Sequence, residues 1–176
     1  MRRLVVCSLL IGYWATGCGR RNGPIQEPGI IDLLQLVAEH KQVGKESPDF
    51  QTMLYTFVRD GQKHQTITLQ ANSKVPLPRL VMPAHATLTF ALTMPFNLGD
   101  GAVARVYFRC GKNDDLLFEH LLDPARRRED RSWQEVSIDL SAYAGRSGEI
   151  VLQASGETGE LTGDWICWGD PKIRIR

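Results

Sequence analysis

Apolar and polar residues alternate with a period of two through most of this chain, and this pattern restricts the fold to one built from half-buried β-strands. The clearest run is segment 103–110, where two arginines and Tyr107 lie between the apolar positions. Successive side chains of a strand point to opposite faces, so the run predicts one face against a core and one face in water. The apolar positions of the run are Ala104, Val106, Phe108 and Cys110.

Runs of the same kind recur along the chain and are separated by short pieces rich in glycine, aspartate and asparagine. Many short strands without helices between them favour two antiparallel sheets packed face to face over a parallel sheet. The sequence therefore predicts an all-β antiparallel sandwich, in which the chain reverses direction at 169–171 before a last edge strand. The predicted strands are 53–59, 65–71, 80–82, 86–94, 103–110, 116–121, 132–140, 149–154, 164–168 and 173–175.

One segment near the N-terminus has a helical period instead. Ile30, Leu33, Leu34 and Val37 follow the i, i+3, i+4, i+7 spacing of an amphipathic helix face. This spacing predicts one short N-terminal helix, from Ile30 to about His40.

The first residues have the order of a bacterial export signal. Arg2 and Arg3 precede eleven largely apolar residues, 4–14, and small residues then lead to Cys18. A helix of that length reaches roughly half of a hydrocarbon core about 30 Å thick, so we do not expect a permanent membrane span.

Segment 15–18 resembles the lipobox of bacterial lipoproteins, although Ala15 stands where that family usually has leucine. The resemblance implies that residues 1–17 are a signal peptide that is removed, that Cys18 is the lipid attachment site, and that residues 18–29 are a lipidated tether. The sandwich domain would then be 30–176. The protein is expected in the cell envelope, anchored in a membrane and facing outside the cytoplasm, on the outer membrane if the cell has one. The alternative is an ordinary secretory signal with an incidental cysteine.

The net charge argues against one class of partner. The whole chain carries a formal charge of +1, and removal of Arg2 and Arg3 with the leader lowers it to −1. Nucleic-acid binding draws on patches of lysine and arginine. The one dense basic run, 126–128, is followed at once by Glu129 and Asp130. We therefore expect no nucleic-acid partner.

Two cysteines, Cys110 and Cys167, remain once the leader and Cys18 are set aside. Disulfides persist in exported proteins, so the pair is a disulfide candidate, with burial as two free thiols as the equal alternative. The four histidines are scattered, and no CxxC or HExxH spacing occurs. We therefore expect no zinc-type metal site and no cofactor.

Four segments carry recognisable motifs. One begins at Trp133 and ends in Asp139-Leu140-Ser141, and another runs through a strand into Trp168-Gly169-Asp170-Pro171. Segment 83–92 begins with a proline and segment 100–108 with an Asp-Gly turn, and each continues as a strand. These motifs resemble those of galactose-binding-like jelly-roll domains, a group that includes carbohydrate-binding modules, and the likeness covers about residues 30–176. The resemblance implies a jelly-roll fold and, in many such domains, a structural calcium near a loop. Ordinary turn formation is the competing explanation for the aspartates that could bind it, namely Asp100, Asp114, Asp115, Asp164 and Asp170.

Aromatic side chains are the candidates for a ligand face, because flat rings stack on sugar rings. We select Trp133, Trp165 and the outward-facing Tyr107 as ligand-binding candidates, with the core as the competing location for the tryptophans. Trp168 lies three residues after Trp165 and must point to the opposite face of the strand, so we expect it in the core.

The leading functional hypothesis is a lipid-anchored, non-catalytic binding module outside the cytoplasm, with a glycan as the candidate ligand. The alternative is a structural accessory lipoprotein of the envelope that binds a protein partner and no small ligand. A small hydrolase comes third, because no GxSxG elbow or other catalytic motif occurs. We therefore assign no catalytic residues.

Overall fold

The computed structural model describes residues 29–43, 52–97, 100–156 and 163–176. The predicted signal peptide 1–17, Cys18 and all but the last residue of the predicted tether 18–29 lie outside these ranges. The elements of the described part are β1 (Gly29–Asp32), α1 (Leu33–Val43), β2 (Thr52–Arg59), β3 (Gln62–Gln70), β4 (Ser73–Pro76), β5 (Leu80–Val81), β6 (Ala86–Thr93), β7 (Ala102–Cys110), β8 (Asn113–Leu122), β9 (Gln134–Asp139), β10 (Ser147–Gly156) and β11 (Trp165–Ile175).

The strands form two antiparallel sheets, which confirms the predicted all-β sandwich with one short helix. The six-stranded sheet has the order β2-β3-β11-β6-β9, and β1 pairs with the second half of β11. The five-stranded sheet has the order β4-β10-β7-β8, and β5 pairs with the start of β10. Most neighbours in this order are distant in sequence, so the fold depends on long-range pairing.

The core fills the space between the inner faces of the two sheets. Each central strand contributes every second side chain to it, as the alternation in the sequence predicts. The inner residues from the six-stranded sheet include Ile67, Leu88, Phe90, Leu92, Ile166 and Trp168, and those from the five-stranded sheet include Ala104, Val106, Phe108, Ile150 and Leu152.

The predicted helix exists, but it begins three residues later than its apolar spacing suggested. Ile30 belongs to β1, where it pairs with Arg174 of β11, and α1 starts at Leu33. The Asp32 carboxylate accepts a hydrogen bond from the backbone N–H of Leu34 at 2.9 Å, which caps the helix at this point. Within the described ranges, no helix combines the length and the apolar character needed to cross a bilayer.

The prediction that the chain reverses at 169–171 is wrong. Residues 165–175 form one continuous strand, and the irregularity between Gly169 and Lys172 is a β-bulge. Asp170 has a φ of +43° within it. The bulge lets β11 change its neighbour on one edge from β3 to β1 while it stays paired with β6 on the other edge. The C-terminal strand is therefore central rather than an edge strand.

Candidate functional site

The outer face of the six-stranded sheet carries a groove of about 380 Å³, which we call the outer groove. Four strands build it: β3, β6, β9 and β11. The side chains that point outward into it are mainly polar or charged, and they include His64, Glu135, Ser137, Asp170, Lys172 and Arg174.

Small residues form the floor of the outer groove. Gly169 of β11 pairs with Ala91 of β6, which in turn pairs with Glu135 of β9. A β-carbon at position 169 would lie 2.9 Å from Cβ of His64 and 3.0 Å from Cζ3 of Trp133. Glycine is therefore required here, because it lets these two side chains close over the strand.

His64 forms an aromatic wall of the outer groove and belongs to a cluster with Trp133 and Phe57. The rings of Trp133 and His64 lie 4.5 Å apart between centroids at an interplanar angle of 57°. Phe57 makes an edge contact with Trp133 at 5.8 Å. Trp133 is half-buried, and its buried Nε1 has no hydrogen-bond partner within the described residues. The cluster holds the indole beside the groove, and part of the indole remains exposed.

The bulge in β11 brings a carboxylate next to this wall. Oδ2 of Asp170 lies 2.9 Å from Nδ1 of His64, and Oδ1 of Asp170 accepts a hydrogen bond from the backbone N–H of Gln65 at 3.3 Å. Aspartate is among the residues that tolerate a positive φ, so the bulge can present this side chain without a glycine. The His64 ring is therefore held between Asp170 and Trp133.

Three further charged side chains line the outer groove: Glu135, Lys172 and Arg174. None of these three takes part in an ion pair within the described part of the chain. The groove thus offers one carboxylate and two cations that are not neutralised by a neighbouring side chain.

The structure does not bring the three predicted ligand-binding residues together. Trp133 lies next to the outer groove, against two of its lining residues, His64 and Gly169. Trp165 is half-buried and lies on the same sheet four residues before Gly169, where it pairs with Gln70. Tyr107 lies in β7 of the five-stranded sheet, on the other side of the molecule. A single ligand can therefore use only the first of the three at the outer groove.

Sequence reasoning missed most of the outer groove. A lone histidine on a strand gives no sign of what it packs against, and His64 and Asp170 lie 106 residues apart in the chain. The segment that contains Gly169 and Asp170 was interpreted as a turn. The glycine and the aspartate, inside an otherwise regular strand, were the one signal for the bulge that places Asp170 in the groove, because this combination is typical of bulges as well as of turns.

The predicted disulfide between Cys110 and Cys167 is wrong, because Cys167 is a free and fully buried thiol. Cys110 belongs to the core between the sheets, whereas Cys167 points away from that core, on the opposite parity to Trp168. Oγ1 of Thr68 donates a hydrogen bond to the Cys167 sulfur at 3.3 Å. Burial raises the pKa of this thiol.

The aspartates that could have held calcium are mostly engaged elsewhere. Asp114 forms an ion pair with Arg109 at 2.7 Å, and Asp170 faces His64. Burial, followed by the neighbouring Asp100 carboxylate, raises the pKa of Asp164 to about 6. Within the described residues, no three histidine, cysteine or acidic side chains are arranged to hold a metal ion.

Comparisons with known proteins place the fold. No family model matches the chain. It is 30% identical over 113 residues to an uncharacterized protein of Archaeoglobus fulgidus, a match that covers 61% of this chain and 28% of that protein. The chain therefore spans well under a third of the length of this relative.

Among solved structures, the chain is similar to CBM51 from Clostridium perfringens GH95 in complex with methyl-galactose. The TM-score is 0.53 at 14% identity, and the alignment covers 82% of this chain and 99% of that one. The C-terminal CBM6 of LamC from Zobellia galactanivorans gives a TM-score of 0.44 at 12% identity, over 84% of this chain and 99% of that one. The likeness to CBM51 shows that this chain has the β-sandwich fold of a carbohydrate-binding module.

Proposed function

We propose that this protein is a non-catalytic glycan-binding module that holds its ligand in the outer groove, and that a lipid on Cys18 anchors it outside the cytoplasm. The observation that carries the binding proposal is the half-buried Trp133 ring beside the groove, where its centroid lies 4.5 Å from that of His64, one of the mainly polar side chains that line the groove. A groove of about 380 Å³ lies within the range of about 300–1,000 Å³ that is usual for small-molecule sites.

This combination suits the chemistry of a sugar. The apolar face of a pyranose ring can stack on an indole, which buries a large area without ordering a flexible side chain. Sugar hydroxyls can then donate hydrogen bonds to the Glu135 and Asp170 carboxylates and accept them from Lys172. Because the CBM51 structure contains methyl-galactose, galactosides are the first ligands to test.

The distribution of exposed apolar side chains favours a glycan over a protein partner. Protein-docking sites usually show as one contiguous apolar patch. The large apolar residues exposed in the described part are instead spread over strands of both sheets and a loop: Ile30, Met53, Val58, Val81, Phe96 and Leu116. This argues against the alternative of a structural accessory protein that docks through a flat apolar surface.

Replacing Trp133 with alanine should weaken binding of a galactoside by about 5-fold to 30-fold, because a stacked aromatic contact contributes on the order of 1–2 kcal/mol. Isothermal titration of the full chain with galactobiose measures this loss. The Trp133→Phe variant should retain part of the affinity, since it keeps a stacking ring. Trp165→Ala is the matched control, because it removes an indole from the same sheet away from the outer groove. An equal loss of affinity in Trp133→Ala and Trp165→Ala would contradict the assignment of the site.

Replacing Cys18 with serine should move the protein out of the membrane fraction, or leave it unprocessed, because acyl chains contribute about 0.8 kcal/mol per buried CH₂ and serine cannot carry the thioether-linked lipid. Labelled palmitate should enter the wild-type protein and not the variant. Fractionation also tests the predicted outer-membrane location in a cell with two membranes. Equal labelling of both proteins would rule out the lipid anchor.

A further inference from the structure

We infer that the ligand of the outer groove is an anionic glycan, whose carboxylate or sulfate group is bound by Lys172 and Arg174. This inference rests on the proposed glycan-binding function and adds the chemical class of the ligand. It starts from the separation of charge along the groove, in which the aromatic wall and the cations lie at different ends.

The register of β11 and β6 fixes this separation. Gly169, beneath the aromatic wall, pairs with Ala91, whereas Lys172 pairs with Thr89 and Arg174 with Thr87. Each step of two residues along a strand is about 6.6 Å. The cations therefore lie roughly 7 and 13 Å along β6 from the aromatic wall. A sugar stacked on Trp133 would thus direct a substituent, or the next sugar unit, toward Lys172 and Arg174.

Lys172 and Arg174 point outward because the core takes the alternate positions, Ile173 and Ile175. Thr89 and Ser137 lie beside Lys172 in the same cross-strand row. The Thr89 hydroxyl donates a hydrogen bond to the Lys172 carbonyl oxygen at 3.5 Å and can accept one from a ligand, and the Ser137 hydroxyl can donate one. A cation flanked by hydroxyls is a common arrangement for binding a carboxylate or sulfate, since charge-assisted hydrogen bonds are stronger than neutral ones.

The carboxylates that share a cross-strand row with these cations accept hydrogen bonds from other groups. Asp32, which pairs with Lys172, caps α1 through its side chain. Asp139, in the same row as Arg174, accepts hydrogen bonds from the backbone N–H and the hydroxyl of Ser141 at 2.9 and 2.6 Å. Glu135 lies at the aromatic end of the groove, in the row of Ala91. Within the described residues, no ion pair joins Lys172 or Arg174 to a carboxylate, so both cations can pair with an anionic ligand.

The test compares three disaccharides that share a galactose skeleton: neutral galactobiose, digalacturonate and sulfated neocarrabiose. Isothermal titration uses the full chain in detergent as the wild type, as the Lys172→Gln/Arg174→Gln variant and as the Lys74→Gln/Lys112→Gln variant. The last pair removes the same charge from exposed positions of the five-stranded sheet and its β7–β8 turn. We expect at least one anionic disaccharide to bind the wild type about tenfold or more tightly than galactobiose, as hydrogen bonds to charged groups allow.

In the Lys172→Gln/Arg174→Gln variant the ratio between the affinities for the anionic disaccharide and for galactobiose should fall to within about twofold. The control variant should keep the preference. Whichever of digalacturonate and sulfated neocarrabiose binds more tightly identifies the bound group as a carboxylate or a sulfate. Equal or tighter binding of galactobiose by the wild type would overturn the anionic class and leave the proposed function standing. The anionic class would also be overturned if the preference survived in the Lys172→Gln/Arg174→Gln variant or disappeared in the Lys74→Gln/Lys112→Gln variant. Failure of the wild type to bind any of the three would count against the proposed function itself.

Discussion

Replacing Trp168 with alanine should lower the free energy of unfolding by about 3–5 kcal/mol, which is a large share of the stability of a domain of this size. Trp168 is fully buried on the inner face of β11, between Ile67 of β3 and Leu92 of β6. The lost indole would leave a cavity in the middle of the six-stranded sheet. Its Nε1 has no hydrogen-bond partner in the described part of the chain, so the loss comes from packing alone.

Urea unfolding monitored by circular dichroism measures this loss. The matched control is Trp165→Ala, which removes the same side chain from a half-buried position on the opposite face of the same strand. Trp168→Phe should retain part of the stability, because a phenyl ring fills part of the volume. If Trp168→Ala and Trp165→Ala lost equal amounts, the predicted inward direction of Trp168 would be wrong.

Compared with the wild type, the Asp164→Asn variant should gain more stability at neutral pH than at acidic pH. Burial, followed by the Asp100 carboxylate, raises the pKa of Asp164 from 3.8 to about 6. The folded state therefore binds a proton more tightly than the unfolded state, and the stability that this carboxyl contributes is lost as the pH rises from about 4 to 6. Asparagine cannot ionise, so the variant should escape a loss of up to about 3 kcal/mol.

Thermal melts of the wild type and Asp164→Asn at pH 4 and pH 7.5 test this prediction. The melting temperature of the variant relative to the wild type should be higher at pH 7.5 than at pH 4. Asp114→Asn is the control, because Arg109 lowers the pKa of that carboxyl and its removal should give no gain at neutral pH. A difference between wild type and Asp164→Asn that does not vary with pH would contradict the argument. A loss of stability on adding EDTA at pH 7.5 in the wild type but not in Asp164→Asn would instead indicate that Asp164 helps to hold a cation.

The sequence predicted the strands well because alternation is a local property. Ala104 to Cys110 and the inner residues of β9 and β10 all lie where their parity places them. The strand pairing is not local, and this is where prediction failed. Gly169 and Asp170 suit both a turn and a bulge, and only the neighbouring β3, β1 and β6 decide between them.

The cysteines show a second limit of parity. Both lie at buried positions, as expected, but residues of this fold are buried in two places: between the two sheets, and on the outer face of the six-stranded sheet. Cys167 is covered on the outer face of the six-stranded sheet, where the Tyr55 hydroxyl lies 3.5 Å from its sulfur. A long side chain from a strand two positions away in the sheet can thus help to bury a residue that points away from the core. The sequence shows apolar positions and cannot show which face is covered by another strand.

Within the candidate site, the sequence identified Trp133 but not the residues around it. Aromatic residues can be recognised one at a time by their type, so Trp133 was selected without knowledge of its neighbours. His64, Asp170, Lys172 and Arg174 are ordinary strand residues in the sequence, and they become a site only through the register of β3, β11 and β6.

The central position of β11 also governs the order of events during folding. This strand pairs with β1, β3 and β6 and contributes the central tryptophan of the core. Until residues 165–175 have been synthesised, those three strands lack a common partner, and the six-stranded sheet cannot close. Folding must therefore wait for the last strand described, and closure of such long chain loops makes it slow. The nascent chain therefore stays without its native six-stranded sheet until β11 is complete.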